Sequence, residues 1–259
     1  MKGVYTKTAI QSVVEPLKAM SSVFNNEVHV VYENEDDAMY IGVMNSTKSI
    51  RAMFKLNVAG LIDQYGASVA EVGIWDVKQF INVFGKYQND IYSEDVTVES
   101  GDRKLVIKCG KERTDYYTSS LNLFDSIRLK VRKFKTDKLT EACSFRLQGV
   151  TLKKILTNIS VFSQQDKISF SGEKGKNEVM VELSCTGGGA FNKNTFVLED
   201  VEVKETFKFV YPKSDIKGLL TCNDYFDLNI FVGAKEMMQA SYSKNNYDMN
   251  FYFSPTLVD

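Results

Sequence analysis

Residues 69–120 read VAEVGIWDVKQFINVFGKYQNDIYSEDVTVESGDRKLVIKCGKERTDYYTSS. The run from Val69 to Trp75 has the period-two alternation of a half-buried strand. Asp76 follows, a residue whose carboxylate accepts from the free N–H groups of a first helical turn. The spacing then changes. Val77, Phe80, Ile81 and Phe84 fall on one helical face and Lys78, Asn82 and Lys86 on another, predicting a helix over 76–87 whose polar face is basic. Alternation returns at Val96–Ser100, Lys104–Cys109 and Thr114–Ser119, with Ser100-Gly101-Asp102 as a hairpin turn.

The same grammar extends both ways along the chain. Upstream, strands are expected at Glu27–Glu33, Ala38–Met44 and Ser49–Leu56. Downstream they are expected at Ser144–Leu147, Lys167–Ser171, Glu178–Ser184, Thr195–Leu198, Val201–Tyr211, Phe226–Val232, Met237–Ser243 and Tyr247–Phe253. Three further segments show helical spacing. Lys7–Ser22 sets Ile10, Val13, Val14 and Leu17 against Gln11, Glu15 and Lys18, with Pro16 expected to kink or end it. Val150–Val161 buries Leu152, Ile155, Leu156 and Ile159, exposes Lys153, Lys154, Thr157 and Asn158, and holds no carboxylate. Pro212–Leu220 starts on proline, buries Ile216, Leu219 and Leu220, and exposes Lys213 and Lys217 beside Asp215.

The element order up to about residue 127 recurs after about residue 140, with Ile74-Trp75-Asp76 answered by Val210-Tyr211-Pro212. That recurrence predicts an α+β fold of two duplicated domains, 1–127 and 142–259, each with two helices and antiparallel sheets. Residues 128–141 are the expected connector between them.

At 259 residues the chain is long enough for two cores, and 32 Lys+Arg against 33 Asp+Glu make it nearly neutral. That balance argues against a nucleic-acid partner only while the charges are taken as evenly spread. Along the chain they segregate, lysines onto helices and carboxylates onto loops such as Glu33–Asp37 and Glu199–Glu202. Lysine with neighbouring Asn, Gln and Thr suits phosphate backbones, and aromatic rings that would stack on unpaired bases are missing from these polar faces, favouring duplex over single strand. The plain alternative is a set of solvated helix faces.

The segment VGIWDVKQFINVFGKYQND with VTVESGDRKLVIKCGKERTDYYTSS resembles the second helix and following strands of the DNA sliding clamps, most closely the tailed-phage type. In two-domain architecture the whole chain is similar to the proliferating cell nuclear antigen family. The resemblance implies a head-to-tail homotrimeric ring around duplex DNA, with Lys18, Lys78, Asn82, Lys86, Lys153, Lys154, Lys213 and Lys217 facing the duplex. It further implies a replicative DNA polymerase and a clamp loader as partners, docking near Leu123, Phe124 and Phe134 of the connector and Phe253 and Pro255 of the C-terminal segment. A monomeric processivity factor, or a β-rich interaction or virion structural protein, is the alternative.

Catalysis has little support in the sequence. His29 is the single histidine, Gly187–Gly189 lacks phosphate-loop spacing and reads as a hairpin loop, and Cys109, Cys143, Cys185 and Cys222 have no metal-ligand spacing. No cofactor or metal is expected, Trp75 is read as a core or interface aromatic, and with no secretory leader or membrane span the chain is expected in the cytoplasm, that of a host cell if phage-encoded.

Overall fold

The computed structural model describes residues 2–24, 28–33, 38–44, 49–57, 62–65, 69–89, 91–92, 94–101, 103–124, 139–185, 193–233, 236–244 and 247–256. The chain divides into two units, Met1–Phe134 with Ser243–Met249 and Lys135–Tyr242 with Asn250–Asp259. The expected connector lies mostly outside the described residues, as do the loop at Gly187–Gly189 and the His29 side chain.

The first unit runs β1 (Lys2–Tyr5), α1 (Lys7–Val23), β2 (Val28–Glu33), β3 (Ala38–Met44), β4 (Ile50–Asn57), β5 (Ile62–Tyr65), β6 (Val69–Ile74), α2 (Val77–Gly85), β7 (Val96–Gly101), β8 (Lys104–Cys109) and β9 (Glu112–Tyr117). Its strands form two antiparallel arrays, β5-β1-β7-β8-β9 and β4-β3-β2-β6. The second runs β10 (Thr140–Gln148), α3 (Gly149–Val161), β11 (Lys167–Gly172), β12 (Glu178–Ser184), β13 (Asn194–Glu199), β14 (Phe207–Pro212), α4 (Lys213–Leu220), β15 (Tyr225–Val232), β16 (Met237–Lys244) and β17 (Tyr247–Phe253), the last two apart from their hairpin end Ser243–Met249, which counts with the first unit. Here the arrays are β10-β15-β16-β17 and β13-β12-β11-β14. Element for element, β1-β7-β8-β9 corresponds to β10-β15-β16-β17, and β4-β3-β2-β6 to β13-β12-β11-β14. The first unit has one strand more, β5, laid antiparallel on the outer edge of β1 with Lys2 opposite Tyr65 and Tyr5 opposite Ile62.

The helices form where the apolar period places a continuous stripe. In α1 that stripe is Ala9, Ile10, Val13, Val14, Leu17 and Met20, all buried. It carries the helix on past Pro16, which does not end it: the interior proline forfeits a backbone hydrogen bond, a loss of about 3 kcal/mol, and the burial of these six side chains is of larger scale. Asp76 caps α2 as expected, its carboxylate accepting from the Gln79 N–H at 2.9 Å. Phe80 and Phe84 stack at 5.3 Å, and Tyr5 meets Phe84 edge-on at 5.6 Å. Beneath α1 and α2 an apolar void of about 50 Å³ remains, lined by Tyr5, Val13, Leu17, Phe80 and Phe84 among others.

One expectation fails for a physical reason and another is narrowed. The strand over Val201–Tyr211 begins only at Phe207. Val201 and Val203 donate instead to Asn177 and Lys176 carbonyls at 3.2 and 3.0 Å, so this stretch is bonded to the β11–β12 turn with both valines buried. Trp75 is 61% exposed, because the chain turns from β6 into α2 at that residue and the ring lies outside the core, which removes the core reading and leaves the interface one.

Gly172 ends β11 opposite Phe207. A methyl group there would stand 2.8 Å from the Phe207 ring and 3.0 Å from Val203. Gly172→Ala is expected to cost about 1–3 kcal/mol by overpacking. The check is a lower urea midpoint at unchanged slope.

Candidate nucleic-acid interface

Each unit presents the polar faces of two helices that pack against each other, α1 with α2 and α3 with α4. On α2, Lys78, Gln79 and Asn82 are exposed; on α3, Lys153, Lys154 and Thr157; on α4, Lys217; and on α1, Thr8, Gln11 and Lys18. Lys18, Lys78, Lys153, Lys154 and Lys217 have no carboxylate partner among the described residues. Several strand cations, by contrast, are paired. Lys104 pairs with Asp115 at 3.1 Å, Lys108 with Glu99 at 3.0 Å, Arg146 with Asp227 at 2.7 Å and Lys193 with Glu182 at 2.6 Å. These cations are neutralised locally, although Lys55 and Lys208, also on strands, have no carboxylate partner among the described residues, whereas the five helix-face lysines retain their charge for solvent or a ligand.

Two of the predicted contact lysines are committed elsewhere. Lys86 lies just past α2 in a 3-10 turn, Lys86–Gln88, and its ammonium donates to Glu112 of β9 while standing 4.8 Å from the centre of the Tyr87 ring. The Glu112 hydrogen bond raises the Lys86 pKa, and Lys86, then Tyr92, lowers that of Glu112. A carboxylate shifted down loses its contribution only as pH falls through its folded pKa, and an amine shifted up loses its own only as pH rises through its folded pKa. The tie therefore survives from below the ordinary carboxylate range to above the ordinary lysine range. Lys213 donates to the Phe162 and Ser163 carbonyls at 2.7 and 3.3 Å, satisfying the C-terminal end of α3, where a positive charge also complements the helix dipole.

Strand β9 is thereby fixed to α2 at both ends. The Tyr116 hydroxyl donates to the Asp76 carbonyl at 2.9 Å and its ring meets Phe80 edge-on at 5.3 Å; burial pushes this phenol up to about 12. At the other end Glu112 takes Lys86 and Tyr92, and Tyr87 meets Thr114 at 3.2 Å. Among the described residues β9 and β13 are the outer strands of their arrays, and both expose apolar side chains, Tyr117 at 74% and Val197 at 46%.

Asp215 is the one carboxylate on the α4 face. Burial raises its pKa, offset by a 3.3 Å hydrogen bond from Ser214. A carboxyl shifted up opposes folding only once pH exceeds the unfolded carboxylate pKa, so the penalty grows toward neutrality. Asp215→Asn is expected to melt above the parent at pH 7 and together with it near pH 3, in paired thermal scans.

Of the expected partner contacts, Phe134 lies outside the described residues, and Leu123 and Phe124 are described only as backbone of a 3-10 turn, Leu121–Phe124. Phe253 is fully buried, its ring 6.1 Å from that of Tyr211. A ring in the core does not meet a partner, which leaves exposed Ser254 and half-buried Pro255 as the surface of that segment.

No helix among the described residues is long and apolar enough to cross a membrane, and no cluster of three potential metal ligands occurs among them. No family model and no curated protein matches the sequence. The fold does match. The Archaeoglobus fulgidus PCNA, solved with the C-terminal region of FEN-1, aligns over all of both chains at a TM-score of 0.69 and 11% identity. The Entamoeba histolytica proliferating cellular nuclear antigen aligns over 99% of this chain and 98% of its own at 0.69 and 11%. The Thermococcus kodakaraensis PCNA aligns over 99% and 100% at 0.68 and 15%. The chain has the fold of the PCNA sliding clamps.

Proposed function

We propose that this chain, built on the PCNA clamp fold, is a sliding clamp: three copies close head to tail around duplex DNA, hold it without reading sequence, and tether a replicative polymerase. The carrying observation is the set of exposed lysines on the helix faces of both units, Lys18 and Lys78 in the first and Lys153, Lys154 and Lys217 in the second, none with a carboxylate partner among the described residues. Lysine ammoniums beside Asn82, Gln79 and Thr157 give diffuse attraction to phosphates and no donor-acceptor pattern that selects a base. Such an activity is topological, and the chain acts as a scaffold without catalysis. Placement by an ATP-dependent loader, and a phage source, belong to the same reading.

The edges supply the closure. A ring built from identical chains needs heterologous contact between two different surfaces of the molecule. Strand β9 ends one array of the first unit and β13 one array of the second, each with unpaired backbone and an exposed apolar residue. Antiparallel pairing of β9 with β13 of a neighbour satisfies both.

The test is mass in solution together with retention on DNA. The parent is expected at the mass of three chains and retained on nicked circular DNA after loading, but lost from linear DNA by running off the ends. Tyr117→Asp and Val197→Asp, both at exposed positions, are each expected to fold and to run as single chains. A parent that is monomeric at all concentrations, or that leaves circular and linear DNA equally fast, overturns the reading.

A further inference from the structure

The two halves differ in one place that their duplication makes conspicuous. Strand β1 is paired on both sides, with β7 and β5. Its counterpart β10 is paired with β15 on one side. On the other, among the described residues, the Lys204 N–H reaches the Ala142 carbonyl at 2.7 Å and no strand follows over Ser144–Gln148. The stretch that would occupy this position, Val201–Val203, is bonded to the β11–β12 turn instead.

What lies beside that edge is a groove of about 350 Å³. Its walls are Phe145–Leu147 of β10 and Phe196–Glu199 of β13, completed by Val201 just past β13 and by Thr151 and Lys154 of α3. Consecutive strand residues point to opposite faces, so a cavity touching three or four in a row runs along the strand's edge rather than over one face. The groove is therefore a slot flanked by two strand edges, and the first unit shows what kind of element fills the equivalent place: a short antiparallel strand.

We propose that this slot takes an extended segment of a partner protein, which adds to β10 as β5 adds to β1, with apolar side chains and one carboxylate in its sequence. The proposal rests on the duplicated fold; its segment pairs with β10, whereas the free edge of β13 is the one that the proposed ring gives to β9 of a neighbour. The β1–β5 register, carried over by aligning the residue two before each helix, sets Leu147 opposite the position of Ile62, Arg146 opposite Asp63, Phe145 opposite Gln64 and Ser144 opposite Tyr65. Charge agrees with that register. Arg146 spends Nε and Nη2 on the two oxygens of Asp227, at 2.7 and 2.9 Å, with its guanidinium 5.3 Å from the centre of the Tyr225 ring. Its Nη1 is left to donate to a second carboxylate, with Lys154 across the slot adding positive charge. Main-chain bonds to an open edge supply affinity, and the flanking side chains supply selectivity.

The probe is a fluorescein-labelled peptide of this chain's own residues 60–66, GLIDQYG, titrated with the full-length protein and read by anisotropy. Saturable binding is expected. Methylating two backbone nitrogens of the peptide on the pairing edge removes two hydrogen bonds, each about 1 kcal/mol, and should weaken binding about thirtyfold. Arg146→Glu should weaken the parent peptide and be rescued by GLIKQYG, with a melting scan confirming that the variant folds. No saturation, or equal affinity for the methylated and unmethylated peptides, overturns the proposal, and the latter holds even if the Arg146 variant fails to fold. A fall in assembly mass when peptide is added would assign the slot to a neighbouring copy and also overturn it. Loss of DNA retention with peptide binding intact would instead remove the clamp reading and leave this one standing.

Discussion

Replacing Lys78, Lys153, Lys154 and Lys217 together with glutamine is expected to leave the melting temperature nearly unchanged and to remove most of the salt-sensitive retention on DNA. The four side chains are exposed and have no carboxylate partner among the described residues, so the folded state loses little. DNA loses more. Each phosphate contact contributes about 0.9 to the slope of log affinity against log salt, so the loss of even four of the twelve lysines that a three-chain ring would carry flattens that slope by roughly 3.6 and weakens binding on the order of a thousandfold at 0.1 M relative to 1 M salt. Lys111→Gln with Lys176→Gln, exposed lysines in turns, serves as the charge control. An unchanged slope in the fourfold variant, or an equal drop in the control, would remove these helix faces from the interface.

Phe84→Ala is expected to destabilise the protein by about 3–5 kcal/mol, the range for deleting a buried phenyl ring. The ring is 2% exposed, stacks on Phe80 and meets Tyr5 edge-on, and borders the void beneath α1 and α2. Because that void already exists, the deletion enlarges it, and neighbours held by two helices and a sheet collapse only partly into the space. Chemical denaturation should show a fall in the urea midpoint. A loss under about 1 kcal/mol would mean that the site relaxes freely and that α2 is not seated as described.

The helices were the most legible part of the fold, because their apolar stripes are long enough for a period to register. The stripe of α1 outlasts even Pro16, since burial along a 17-residue helix outweighs one missing backbone bond. Strands β1 and β5, four residues each, were too short to show alternation. The duplication was legible as an order of elements, but its one exception, the strand on β1 that β10 lacks, depends on pairing and stayed hidden until the register was known. At the candidate site the lysines could be placed on helix faces from spacing alone. Whether each was free could not: Glu112 is 26 positions from Lys86, and the Phe162 carbonyl is 51 from Lys213. Nor does an aromatic at a strand end reveal its side of the surface, as exposed Trp75 and buried Phe253 illustrate.

The captured lysines bear on motion. A free lysine on a flexible stem follows a phosphate as it passes and passes it on, so the energy along the duplex stays smooth and diffusion meets little friction. An ammonium pinned to Glu112 or to the last carbonyls of α3 keeps its place in the protein and would meet the backbone as a fixed bump. Lys86 and Lys213 therefore hold the lining in shape, and in the proposed ring the travelling surface is left to cations that can yield.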